Sequence, residues 1–300
     1  MNMNKKTLIL IGITISIAAL LGTVVFIQQN QSTSTQTQTQ NTLQGLATQT
    51  RLLNESIWNS VEQIRVRALG IQRLKESTSD PSTVKPAGPI LHWAEAIISK
   101  GQIQKFTHKD YNPSLPILDK KSFEDYYLSS LQKRLSISQI SQDGVAAYRI
   151  KQDPTSRSEW ISIVFYIKQS EQDAKLLITL IDPAESFAPL KRFRVLSEEL
   201  GTARAYLIGN DGFIIAHSQP SYVGSLFHQS EIFKKMIQPV FELAATRPQS
   251  GVYASLDQLP VYAAVIHPKG LPWAVVIEQL IPESTAQNTL ASTLTWILIC

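Results

Sequence analysis

The sequence predicts an α+β fold: one long helix followed by two related antiparallel-sheet modules, set between an apolar N-terminal span and the start of a second one. Three observations predict it. The run TLILIGITISIAALLGTVVFI, Thr7 to Ile27, carries no charge. From Leu43 to Leu74 apolar residues recur at alternating steps of three and four, the spacing of one helix face. Beyond Pro89 the chain twice combines helical stretches with strand-like runs separated by turn residues.

At a rise of about 1.5 Å per residue, the first apolar run is long enough to cross a bilayer core of about 30 Å. Lys5 and Lys6 precede it and the flank beyond is uncharged through Gln40. The positive-inside rule therefore puts residues 1–6 in the cytoplasm, residues 7–27 in the membrane and the rest outside. A cleaved signal peptide would have an apolar centre of only about 7–15 residues and a small-x-small cleavage site. This run is longer, and QQNQSTSTQTQTQ offers no Ala-x-Ala. At the other end, residues 289–300 (TLASTLTWILIC) are apolar again but shorter than the roughly 17–25 residues of a span. They read as the first part of a second transmembrane helix; the alternative is an amphipathic tail on a surface.

Residues 28–42 are a Gln/Thr-rich spacer by composition. A long helix follows over 43–77, with Leu43, Leu46, Thr50, Leu53, Ile57, Ile64, Ile71 and Leu74 on heptad steps and Ser60 and Arg67 as interruptions. Its stripe serves either as the seam of a dimer or as the face packed on its own domain. STSDPSTVKPAGP ends it. The membrane-distal module, 90–183, is read as a helix from Leu91 to Lys100, a polar loop, a helix from Ser122 to Arg134, and strands VAAYRI, WISIVFYIK and KLLITLID from Val145, Trp160 and Lys175. The last two strands form a hairpin turned at residues 169–173. A helix from Ala184 to Leu200 opens the proximal module, 184–282. Strands Ala203–Ile208 and Phe213–His217 flank Gly209-Asn210-Asp211-Gly212, whose residues tolerate the positive φ of a tight turn. A helix from Ser230 to Ala245 precedes strands at Gly251–Leu256, Val261–His267 and Trp273–Gln279. Five antiparallel strands with helices on one face make an α+β module.

The net charge is only +4 and the Lys and Arg residues do not gather into a stripe, so nucleic-acid binding is set aside. The one cysteine is Cys300, so the folded region is held without disulfides or a Cys-based metal site. His92, His108, His217, His228 and His267 show neither i, i+4 pairing nor HExxH, and no GxSxG, Walker loop or paired-carboxylate signature occurs. No metal, no cofactor and no catalytic residue are expected, and the chain is not read as an enzyme.

The segment AYLIGNDGFIIAHSQPSYVGSLF, Ala205 to Phe227, and the late strands YAAVIHPKGLPWAVVIEQ resemble the double Cache domains, extracytoplasmic sensors of bacterial chemoreceptors, histidine kinases and nucleotide cyclases. Asp211, Gly212, His217 and Gly224 match the family's turn, strand end and following glycine, while Gly209 stands where an Asp is usual. The motif match spans 203–279; for the distal block it rests on order and size. The resemblance implies two PAS-like sheets on one long helix, placed between two membrane spans in the inner membrane with the sensor periplasmic or extracellular. Amino-acid-sensing members carry Arg-x-Trp-Tyr in the distal sheet and a later Asp. Here the nearest run is Arg157 to Trp160 followed by Ile161, and the later Asp aligns near Leu180, with Asp182 two places on.

A small-molecule pocket needs apolar and aromatic walls with a few convergent polar groups. In the distal module the candidates are Tyr126, Tyr127, Tyr148, Arg149, Arg157, Trp160, Tyr166 and Asp182, an Arg suiting a carboxylate and aromatic faces suiting an amine. In the proximal module they are Tyr206, Asp211 and His217. Aromatic residues on strands are more often core, and Asp211-Gly212 is more often a plain turn. The expected function is ligand sensing across the membrane, toward a cytoplasmic cyclase, kinase, phosphatase or chemoreceptor module, by a homodimer that contacts a small-molecule ligand and the lipid bilayer. The alternative is an envelope docking or assembly protein that binds another protein.

Overall fold

The computed structural model describes residues 5–86, 88–99, 102–112, 120–135, 137–151, 159–168, 173–187, 189–190, 203–242, 247–268 and 270–282. Helix α1 (Lys5–Ser77) is 73 residues long. The chain divides into two compact units, 1–45 and 46–300. In the first, the backbone is helical from Lys5 onward, through the apolar run and through the Gln/Thr-rich stretch expected to be a spacer. The side chains of Thr7–Ile27 lie outside the described residues, as does all of 289–300. Among the residues whose side chains are described, no helix is long and apolar enough to cross a membrane.

The second unit opens with the remainder of α1 and holds two five-stranded antiparallel sheets. The first contains β1 (Ile90–Ser99), β2 (Gln102–Tyr111), β3 (Val145–Lys151), β4 (Glu159–Lys168) and β5 (Asp173–Ile181), in the order β2-β1-β5-β4-β3. Helices α2 (Lys120–Arg134) and α3 (Ile137–Asp143) connect β2 to β3, and α4 (Pro183–Ser186) follows β5. The second contains β6 (Ala203–Gly209), β7 (Ile214–His217), β8 (Gln249–Ala254), β9 (Pro260–Ile266) and β10 (Trp273–Leu280), in the order β7-β6-β10-β9-β8. Counted from the first strand of each sheet, the two orders are identical. The chain thus carries the same module twice behind one long helix, which is the layout the resemblance implies. Between β7 and β8 a π-helical stretch (Phe233–Ile237) runs into α5 (Gln238–Glu242).

Of the two roles open to the α1 stripe, from Leu46 onward it packs within its own fold. The buried positions are Leu46, Thr50, Leu53, Ile57, Val61, Ile64, Ala68, Ile71, Gln72 and Lys75; apart from Gln72, beside Ile71, they follow a mean step of about 3.6 residues, the pitch of a straight helix, not the 3.5 of a supercoil. That drift explains the two interruptions: Val61 and Ala68 take the inward places of Ser60 and Arg67. It also turns Leu74 out to solvent and brings Lys75 in. Lys75 Nζ lies 2.5 Å from Asp110 on β2 and 5.9 Å from the ring centre of Trp93 on β1, and donates to Pro81 O at 2.7 Å. Lys175 on β5 bridges buried Glu95 on β1 (2.7 Å) and Glu76 on α1 (3.5 Å).

Two expected elements are corrected. Residues expected to form a helix from Leu91 to Lys100 form β1, and the polar loop after it forms β2. β1 lies inside its sheet, and Trp93, Ala94, Glu95 and Ala96 in succession are all buried. A strand covered on both faces loses the alternation that would distinguish it from a buried helix. In β2 the period is broken instead: irregular pairing falls between Glu95 and Ala96 and between Ile97 and Ile98 on its partner strand. Of the helix expected from Ala184 to Leu200, the described residues are helical in α4 (Pro183–Ser186) and at 189–190, and residues 191–200 lie outside the described residues.

Candidate functional site

In the distal sheet, one face carries a core of Ala94, Ala96, Ile98, Ile150, Val164, Leu176 and Ile178 under Tyr127, Leu128 and Leu131 of α2. One transverse row on this face is chemically different. Strand pairing places Tyr111 opposite His92, His92 opposite Leu180, Leu180 opposite Ser162, and Ser162 opposite Tyr148. Cross-strand partners share a face, so the row brings two tyrosines, a histidine and a serine side by side. Buried Tyr127 roofs it: its hydroxyl lies 2.8 Å from Ser162 Oγ, and its ring stands edge-on to His92 at 5.4 Å. His92 also packs at 4.7 Å on Tyr111. Burial, opposed by the Ser162 contact, raises the Tyr127 phenol well above its ordinary range, so it is a neutral hydrogen-bonding group.

The distal residues singled out from sequence divide. Trp160 is buried in the core of this face, and Tyr148 and Tyr166 pack against it, half-buried. Tyr126 is exposed, because it precedes Tyr127 on α2 and faces the other way. Asp182 lies between β5 and α4, where its carbonyl accepts from Ser186 N. Arg157 lies outside the described residues. Arg149 turns away from the row, as alternation on β3 requires, and its guanidinium pairs with Asp211 of the proximal module while lying 4.5 Å from the ring centre of Phe213. Its neighbour Tyr148 is covered by Arg134 instead, at 5.8 Å.

Asp211 therefore joins the two modules as well as making a turn. Gly212 follows it with φ 80°, and a Cβ there would come 2.5 Å from the backbone nitrogen of His228, so only glycine fits. At Gly209, a Cβ would come 2.7 Å from Asp211 Oδ1 and 3.6 Å from Arg149 Nη1. The departure from the usual Asp at this position thus leaves room for the link between modules.

The proximal module holds a second polar cluster, on the face covered by the π-helical stretch and α5. Tyr206 and His217, adjacent in register on β6 and β7, stack at 5.2 Å and 13°. Tyr222 stacks on the other side of His217 at 4.6 Å. The distal module has the same plan: a His–Tyr pair across its first two strands, closed by a second tyrosine. Four members of this cluster were not anticipated from sequence: Arg204, Tyr222, Asp257 and Glu278. Tyr206 donates to Glu278 Oε1 at 2.6 Å. Tyr222 donates to Asp257 at 2.7 and 2.9 Å, and Arg204 pairs with Asp257 and covers the Tyr222 ring at 5.5 Å. The sequence signal for Glu278 was present but unused: it is the one acid in the apolar strand WAVVIEQL.

Burial drives the electrostatics here. Glu278 is 1% exposed; desolvation pushes its carboxyl up to about 7, against the Tyr206 hydrogen bond and Arg204, which favour the charged form. His217 is pulled down to about 4, first by burial and then by Arg204. Its Nδ1 accepts from Gln219 N at 2.7 Å, so in the neutral ring the proton sits on Nε2. That nitrogen and Glu278 Oε2 are both buried without a hydrogen-bond partner. Burial also raises Asp257, but the Tyr222 and Arg204 hydrogen bonds outweigh it and hold the carboxylate low. Among the described residues, no group of three or more His, Cys, Asp or Glu could hold a metal ion.

Solved structures similar to the chain include the periplasmic sensory domain of the Campylobacter jejuni chemoreceptor Tlp1, at 12% identity and a TM-score of 0.49, covering 81% of this chain and 96% of that one. The ligand-binding domain of the Pseudomonas aeruginosa amino-acid chemoreceptor PctC, in complex with GABA, matches at 12% identity and 0.47, over 79% and 99%. The extracellular domain of a putative histidine kinase, rpHK1S-Z16, matches at 13% and 0.45, over 82% and 95%. No protein-family model matches the chain, and no curated protein matches it.

Proposed function

We propose that this chain is the extracytoplasmic ligand-sensing region of a transmembrane receptor of the double Cache type, and that it binds a small molecule on the helix-covered face of its distal sheet. The observation that carries the reading is the row Tyr111, His92, Ser162 and Tyr148 under Tyr127. It gathers hydroxyl and imidazole groups and aromatic faces in one line across an otherwise apolar core, the mixture a small-molecule site requires. Leu180 lies in the middle of this row and Ile161 follows Trp160, where amino-acid-sensing members of the family carry an Asp and a Tyr. With no acid in the row to hold an amine, the ligand that fits is a flat or apolar body with neutral hydrogen-bonding groups.

The apolar run Thr7–Ile27 behind Lys5 and Lys6 supports an uncleaved anchor in the cytoplasmic membrane, with the two sheets on the far side. With the inner stripe of α1 buried in its own fold, a homodimer would use the outer surface of the helix, where Leu52, Val66 and Leu74 are exposed. A ligand moves the receptor only by its differential affinity for two arrangements of the distal module. The Arg149–Asp211 link supplies a mechanical connection between that module and the proximal one.

A thermal-shift screen of the protein against purines, organic acids, amines and amino acids tests the reading. A ligand at 100 times its dissociation constant stabilises by about 2.7 kcal/mol, and replacing Tyr148 by Ala should abolish the shift. A flat response to every class would reject small-molecule sensing and favour the docking alternative.

A further inference from the structure

The geometry points to a proton-operated switch in the proximal module: Glu278, buried on the last strand, exchanges a proton with the medium, and its ionisation draws Arg204 away from Asp257. This input stands apart from the distal ligand and needs none.

Three features of the site carry it. First, the Glu278 carboxyl sits in the interior with a single hydrogen-bond donor, Tyr206, on Oε1 and none on Oε2. A carboxylate removed from water with one donor is poorly stabilised, so its neutral form is held over a pH range in which an exposed Glu would ionise. Second, the cation nearest in register is already engaged. Arg204 stands directly opposite Glu278 in the β6–β10 pairing, yet its guanidinium is committed to Asp257 and to the Tyr222 ring. Ionised Glu278 offers Arg204 a second anion across the same pair, so two arrangements of one cation between two acids are available. Third, the two arrangements differ in what they hold. Arg204 on Asp257 ties the turn between β8 and β9 to β6; Arg204 on Glu278 releases that turn, leaves Tyr222 as the remaining partner of Asp257, and tightens β10 against β6.

The other groups facing Glu278 do not compete for this role. From β7 comes His217, which burial keeps neutral at ordinary pH. From the turn after β7 comes Tyr222, hydrogen-bonded to Asp257. On β9 the residue opposite is Ala263, and the covering helical segment presents Phe233, Met236, Ile237 and Val240, all apolar. The charged set is therefore Glu278, Arg204 and Asp257, with Tyr206 as the hydroxyl that sets the balance. Burial places the Glu278 transition at about 7, where modest acidification of the medium would shift it. β10 is the central strand of its sheet and runs into Ile281 and Pro282, so a change in how β10 is held is passed to the residues that follow it in sequence.

The test uses the full chain in detergent micelles. Infrared difference spectra between pH 5.5 and 8.5 should contain a protonated-carboxyl band that disappears with a midpoint near 7 and is missing in Glu278→Gln. Hydrogen exchange, corrected for the intrinsic pH dependence, should show protection in the β8–β9 turn falling about tenfold or more across that midpoint in the wild type and unchanged in Glu278→Gln. Tyr206→Phe keeps the ring but removes the donor that favours the carboxylate, so it should move the midpoint upward by at least half a unit. It also carries the test if the Gln variant does not fold. A band absent from the wild type, a midpoint below 5, unchanged exchange across the transition, or a midpoint unmoved in Tyr206→Phe would each overturn the switch. None of these readouts depends on a distal ligand, so failure of the ligand screen and failure of the switch remain distinguishable.

Discussion

Glu278 and His217 should leave opposite and nearly cancelling marks on the pH dependence of stability, and removing either should expose the other. The carboxyl is raised from an ordinary value of 4.5 to about 7 in the fold. Between those values the native chain keeps a proton that the unfolded chain has lost, so stability falls as pH rises, by about 1.4 kcal/mol per unit. The imidazole is lowered from 6.5 to about 4. In that interval the unfolded chain holds the extra proton, and stability is lost as pH falls, at the same rate. From pH 4.5 to 6.5 both intervals overlap, native and unfolded states carry equal numbers of protons on this pair, and the two slopes cancel. Glu278→Gln removes the falling contribution. Its stability relative to wild type should therefore climb by about 1.4 kcal/mol per unit, close to ~3 kcal/mol over the window. Urea titrations of both proteins at half-unit intervals of pH measure this, and groups common to the two cancel in the difference. A difference independent of pH would refute the reasoning, because the carboxyl would then ionise in the fold as it does in water.

Other outcomes follow from single contacts. Tyr127→Phe leaves Ser162 Oγ without its 2.8 Å partner in the distal core and should lower stability by about 1–3 kcal/mol in urea unfolding, the cost of an orphaned buried group. Gly212→Ala meets both a φ of 80° and the His228 backbone; a loss of about 1–3 kcal/mol is expected by the same measurement. Lys75→Ala strips buried Asp110 of one of two lysines, the other being Lys85 at 2.9 Å. A loss toward the lower end of the ~3–5 kcal/mol for a broken buried pair should be seen, and Asp110→Asn in that background should recover part of it. Arg149→Ala should increase hydrogen exchange in the Gly209–Gly212 turn while leaving the distal sheet protected, since it severs a link between modules and not a core contact.

Much of the proximal module was legible because its physics is local. Asn210-Asp211-Gly212 announces a turn that only glycine completes, and β9 and β10 are apolar runs bounded by proline and glycine. The distal module resisted where burial erased the pattern. Glu95 inside an Ala-Glu-Ala run looks like the exposed side of a helix, but it is buried on β1 and neutralised by Lys175 from β5, eighty positions later in the chain. No local rule sees that partner. The α1 stripe was visible, yet its assignment turned on a drift of a tenth of a residue per step, readable only once Val61 and Ala68 were known to face inward. The site residues divide in the same way. Tyr206 and His217 were found as members of a strand pattern, whereas Arg204, Tyr222 and Asp257 come together through a stacking column and a turn that the sequence does not connect.

The duplication sharpens the contrast between the two clusters. Both modules pack a histidine against a tyrosine across their first strands and add a second tyrosine, stacked in the proximal module but tilted and edge-on in the distal one, and the groups beneath differ. In the distal row Tyr127 meets a serine hydroxyl, a partner that stays neutral at every physiological pH; in the proximal cluster Tyr206 meets a carboxyl. The distal Tyr127–Ser162 contact joins two hydroxyls, while the proximal Tyr206–Glu278 contact can change by losing a proton. A common scaffold has thus been given two chemistries, and the ionisable one sits on β10, the last described strand.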